Sequence, residues 1–138
     1  MTRETFSVAA RIVKADPARQ IAYGVVLEPR TEGDPDSQGD WYTATDIELA
    51  AHDFLEAVAK GEAWADLMHD EGPAVGAPVE SFVAPVDFAL GEGDRVQLVK
   101  AGSWVMAMHY PDPEVWARIE KGELAAFSVG GSGTRIFE

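Results

Sequence analysis

A single, mainly β domain with a few helices (α+β) is the fold class this 138-residue sequence predicts, and three observations predict it. Segments rich in β-branched and aromatic residues recur along the chain, clusters of Gly, Pro and Asp separate them, and only two stretches repeat apolar residues at helical spacing. The length suits one domain with a modest core, because domains commonly run to about 100–150 residues. Residues 1–138 are therefore expected to form one unit. The sequence has no cysteine, which excludes disulfide staples, a thiol nucleophile and Cys-ligated zinc.

Thr5 to Ile12 (TFSVAARI) and Gln20 to Leu27 (QIAYGVVL) read as two strands joined by a turn at Asp16-Pro17, since proline is unwelcome in a central strand. Glu28 to Asp40 (EPRTEGDPDSQGD) has no hydrophobic period and reads as an exposed loop, the best candidate for a mobile segment. Thr45, with Glu48 three residues later, has the spacing of a capping box and opens a helix carrying Ile47, Ala50, Ala51, Phe54, Leu55 and Val58 on one face, closed by Gly61. Three strands are expected next, over Ala63 to Met68, Ala77 to Ala84 and Val96 to Met108. Val115, Trp116 and Ile119 mark a short helix over Pro113 to Lys121, stopped by Gly122. Leu124 to Phe137 begins and ends as strand, with an interruption at Gly130-Gly131-Ser132-Gly133. The four strand segments from Ala63 onward are predicted to share one curved, largely antiparallel sheet or barrel, because their connections are mostly too short for parallel crossovers.

With 24 acidic against 11 basic side chains the formal net charge is -13. Such a surface repels polyanions, so nucleic acid is not an expected direct partner. No apolar run approaches the roughly 20 residues of a membrane span, and the first residues lack the apolar region of a secretory signal. A cytoplasmic protein without a membrane partner is expected.

Among the three histidines, His52 sits inside the first helix and His109 ends an apolar strand, both positions where a surface role is the default. His69 differs, because Leu67-Met68-His69-Asp70-Glu71-Gly72 carries it from an apolar strand into an acidic loop, a common setting for a functional side chain. Ser128 ends the apolar run Ala125-Ala126-Phe127 and precedes Gly130-Gly131. Glycines there suggest backbone N–H groups free to turn towards an oxyanion, although a hairpin turn with an incidental serine explains the same residues.

Taken in order, Leu67-Met68-His69-Asp70-Glu71, Val75-Gly76-x-x-Val79-Glu80-Ser81, Gly102-Ser103-Trp104-Val105, Trp116-x-x-Ile119-x-x-Gly122-Glu123 and Phe127-Ser128-Val129-Gly130-Gly131 form a five-block pattern that spans nearly the whole chain. This pattern resembles the phage serine proteases of the XkdF type, a family similar to the prohead proteases and to assemblin, the herpesvirus capsid protease. The resemblance implies a compact β-barrel of the assemblin type and a serine endopeptidase acting in prohead maturation. Its substrates would be phage scaffold and major capsid proteins, cut inside the prohead assembling in the host cytoplasm. Carried over, the family's nucleophile falls on Ser128 and its histidine on His69, 59 residues earlier. The third member tends to follow the serine in relatives, yet the sole acid after Ser128 is the terminal Glu138. Glu80 is the better expectation, with Asp70 as the alternative or a Ser-His dyad sufficing. Gly130, Gly131 and Arg135 are the expected oxyanion partners.

No metal or organic cofactor is called for. Two rivals remain at this level, a non-catalytic capsid-assembly or scaffold-binding module on the same fold and an acidic mimic of DNA. Self-association of the chain is open.

Overall fold

The computed structural model describes residues 2–37, 39–67 and 76–135, with side chains over 8–37, 39–63, 76–94 and 96–130. The first strand, β1 (Thr2–Asp16), turns at Pro17–Gln20 into β2 (Ile21–Leu27). Gln20 takes the left-handed conformation needed there, at φ 54°, and its side chain donates to the Tyr110 carbonyl at 2.6 Å. A loop then leads to α1 (Ala44–Ala59), which is followed by β3 (Ala63–Leu67) and β4 (Ala77–Val83). A small hairpin of β5 (Phe88–Leu90) and β6 (Gln97–Val99) precedes β7 (Trp104–His109), α2 (Pro113–Glu120) and β8 (Ala126–Arg135).

Six strands form one sheet in the order β3-β8-β1-β2-β7-β4, and every neighbouring pair is antiparallel. The edge strands β3 and β4 approach one another without pairing, so the sheet curls into a half-barrel. The segments expected to share one curved sheet do so, except that Val96 to Met108 is two strands in two sheets. The break is the turn at Lys100–Ser103, where the Ser103 N–H bonds to the Lys100 carbonyl and Gly102 sits at φ +89° against Ala44.

Strand alternation sorts the side chains onto two faces. The inner face carries Ala10, Ala22, Trp104, Met106, Met108, Phe127 and Val129, on which α1 sets Ile47, Ala51 and Phe54 and α2 sets Trp116 and Ile119. On the outer face Val13 and Val105 meet Ala84, Leu90 and Val99 under the β5-β6 hairpin. Strand β7 serves both cores, which is why WVMAM reads as an uninterrupted apolar run. At Gly24 the backbone of β1 and the ring of Phe127 come so close that a Cβ would lie 2.8 Å from the Arg11 carbonyl oxygen.

Two further expectations are corrected. The helix cap is Thr43, not Thr45: the Thr43 hydroxyl accepts from the Asp46 N–H and the Asp46 carboxylate accepts from the Thr43 N–H, so the box closes two residues earlier on an Asp. The Gly130–Gly133 segment is not a break, because β8 pairs through it with β1, from Gly130 opposite Ser7 to Gly133 opposite Glu4. A long partner strand supplies the hydrogen bonds that outweigh glycine's poor strand propensity. The loop after β2 is exposed as expected over 31–35, and Arg30 organises it, bonding Glu28, the Pro35 carbonyl and the Tyr42 carbonyl.

Candidate functional site

Ser128 lies in β8 between Phe127 and Val129, both wholly buried in the inner core. Alternation therefore turns Ser128 to the outer face, where it is half-buried. On that face Ala126 and Gly130 lie two residues away along the strand, Ala9 stands opposite on β1 and Asp66 opposite on β3. A rigid strand with an anchor on each side fixes the direction in which the Ser128 side chain leaves the backbone.

Pairing with β3 gives the site its second component. Asp66 is in register with Ser128, and Leu67, the last residue of β3, with Phe127. In the sequence only Met68 stands between Leu67 and His69. His69 and Asp70 lie outside the described residues. The chain re-enters at Gly76, where a Cβ would collide with the Tyr110 ring, so the absent side chain lets the backbone lie flat against it.

Glu80 occupies β4 and accepts a hydrogen bond from the Tyr23 hydroxyl at 2.7 Å. That bond, with burial and the nearby Glu80 charge adding to it, raises the Tyr23 pKa above its ordinary value near 10. Lys14 caps the other side of the phenol ring, 5.2 Å from its centroid. Within the sheet, β1, β2 and β7 separate Glu80 from Ser128.

The expected oxyanion partners are not gathered around the serine. Gly130 and Gly131 are paired on both sides, with Ser7 and Phe6 of β1 and with Trp64 and Ala63 of β3, so their N–H groups belong to the ladders. Arg135 ends the unbroken strand seven residues on, about 23 Å from Ser128 at roughly 3.3 Å per residue. The idea of glycines free to turn their amides outward fails because β1 extends far enough to pair with them. His52 is exposed on α1, and His109 is half-buried opposite Ile21 and Ala77. Among the described residues no group of three or more His, Asp or Glu is placed to hold a metal ion. No described helix is long and apolar enough to cross a membrane.

Sequence reasoning missed Asp66 and Tyr23. An aspartate in the middle of the apolar strand Ala63–Leu67 is a signal that could have found the first. Nothing in the sequence marks Tyr23, whose role follows from cross-strand register alone.

A family model described as "Putative phage serine protease XkdF" matches residues 8–137. Two curated proteins of Bacillus subtilis (strain 168) are similar: "Uncharacterized protein YqbD", 38% identical over 125 residues, and "Phage-like element PBSX protein XkdF", 37% identical over 114 residues. These alignments cover 91% and 83% of this chain but only 35% and 37% of the relatives. The chain thus spans about a third of the length of the curated relatives it matches. No solved structure matches the chain.

Proposed function

Because the chain belongs to the XkdF family of phage proteins, we propose that it is a serine endopeptidase of phage assembly, with Ser128 as nucleophile and His69 as general base. The observation that carries this reading is the β3–β8 register, in which the strand leading to His69 ends beside the residue preceding Ser128. His69 takes the Ser128 proton as Oγ attacks a peptide carbonyl carbon, and returns it to the leaving amine as the C–N bond breaks. Water, deprotonated by the same histidine, then releases the acyl group from Ser128. Glu80 or Asp70 serves as the acid that orients the imidazole, or the dyad works alone. Scaffold and capsid proteins, cut within the assembling prohead, are the proposed substrates.

In this reading the oxyanion donors come from outside the β8 ladder, since Gly130 is itself buried and paired on both sides. That same intact ladder favours a second reading, a non-catalytic module that binds scaffold or capsid proteins on the same fold. Fluorophosphonate labelling followed by peptide mapping separates the two. A protease gives a Ser128 adduct that is lost in His69→Ala; no adduct, or one indifferent to His69, supports the binding module.

A further inference from the structure

A groove runs between α1 and the outer edge of β4. It is two hollows joined at Val83: His52, Leu55 and Glu56 face Ser81, Phe82 and Val83 in one, and Glu48, a turn earlier on the helix, faces Val83, Ala84 and Pro85 in the other. The part beside the second half of the helix encloses about 380 Å³, and Leu55 remains 49% exposed.

The ladder decides which amides of β4 face this groove. Ala84 donates its N–H to the Ser103 carbonyl at 2.8 Å, and residues of an antiparallel strand alternate between bonding their partner and pointing away. Phe82, opposite Val105, therefore bonds to β7, while Ser81 and Val83 direct their N–H and C=O groups outward. Among the described residues no strand pairs with that edge. The start of β4 is blunted by Pro78 and by the register shift before Glu80, both of which discourage strand addition. Neither device protects Ser81–Val83.

Charge selects the occupant. Helix α1 carries Asp46, Glu48, Asp53 and Glu56 and no Lys or Arg. Glu48 and Glu56 line the groove about 12 Å apart along the helix axis, at roughly 1.5 Å per residue. An extended peptide covers that span in about four residues, and its alternate side chains share one face. We propose that the groove binds an extended segment of a partner protein as an added strand on β4, with Lys or Arg at two positions four residues apart and an apolar residue midway. The basic side chains meet Glu48 and Glu56, and the apolar one meets Leu55. A second copy of the chain fits less well, since it carries a net charge of -13 and would bring a second acidic α1 to the same edge.

The test uses the Ser128→Ala protein, so that no cleavage complicates binding, and a fluorescent capped peptide Ser-Lys-Thr-Val-Thr-Lys-Ser against the same peptide with Glu for both Lys. Anisotropy should show binding of the Lys peptide only, weakened about two- to fivefold by Glu48→Gln and again by Glu56→Gln. Hydrogen exchange should slow at the Ser81 and Val83 amides on adding the Lys peptide. Equal binding of both peptides, or no change at those amides, overturns the proposal. So does slow exchange there in the free protein, whether constant or rising with protein concentration as self-pairing would require.

Discussion

Asp66 of β3 stands directly opposite Ser128 of β8 in the antiparallel ladder. Register is strict wherever one face of a strand is buried, because a one-residue slip would turn Phe127 and Val129 out of the core. The packing of two apolar side chains therefore fixes both the direction of the Ser128 hydroxyl and the point at which β3 delivers the chain towards His69.

Replacing Ser128 by Ala should abolish fluorophosphonate labelling and peptide cleavage while costing at most about 1 kcal/mol in urea unfolding, since the residue is half-buried outside both cores. Ser103→Ala supplies the contrast. The Ser103 hydroxyl is fully buried and has no hydrogen-bond partner among the described residues. Removing it should keep activity and leave stability unchanged or raise it by up to about 1 kcal/mol. Loss of labelling in Ser103→Ala with retention in Ser128→Ala would reverse the assignment.

Gly24→Ala should destabilise the protein by about 1–3 kcal/mol in urea unfolding. Its Cβ would meet the Arg11 carbonyl oxygen at 2.8 Å and the Phe127 ring at 3.1 Å. Backbone cannot swing aside as a flexible side chain can, so β1 must shift or Phe127 must tilt. A variant as stable as the parent would mean that β1, β2 and β8 are not packed this closely.

The helix cap gives a sharper contrast. Thr43→Ala removes the acceptor of the Asp46 N–H and should cost about 1 kcal/mol, whereas Thr45→Ala, inside the first turn, should cost little. Paired thermal melts of the two variants decide between the observed cap and the one the S/T-x-x-E pattern suggests.

That contrast shows what was legible in the chain and what was not. Thr43 and Thr45 both precede an acid by three residues, so local pattern alone could not choose, and the choice was made by where β2 ends and where Ile47, Ala51 and Phe54 meet the sheet. The strands Ile21–Leu27 and Ala77–Val83 were readable because each has its own composition and boundaries. The glycines of β8 were misread as a break because their strand character comes from β1, more than 100 residues earlier. The apolar flanks of Ser128 and the five-block resemblance mark it in the sequence as a candidate, and its place between two buried anchors is what the strand adds, whereas the Tyr23–Glu80 bond depends on two strands meeting across Ala107.

The Tyr23–Glu80 bond makes the last prediction, on pH. Tyr23 donates to a carboxylate, so its neutral form is favoured in the folded state and its pKa is raised above 10. A proton held more tightly by the folded than by the unfolded chain contributes stability that is fully present below about pH 10 and declines as pH rises above it. Absorbance titration near 295 nm should therefore show Tyr23 ionising late, assigned by difference against Tyr23→Phe. Glu80→Gln keeps an acceptor oxygen but removes the charge, and should bring the Tyr23 transition back towards 10. The same variant weighs Glu80 as the acid that orients His69. If Glu80 serves catalysis, kcat/KM falls in Glu80→Gln and also in Tyr23→Phe, because the carboxylate loses the bond that positions it. If Glu80 serves the sheet alone, the tyrosine transition moves while kcat/KM stays, and Asp70→Asn becomes the variant that decides between a triad and a dyad.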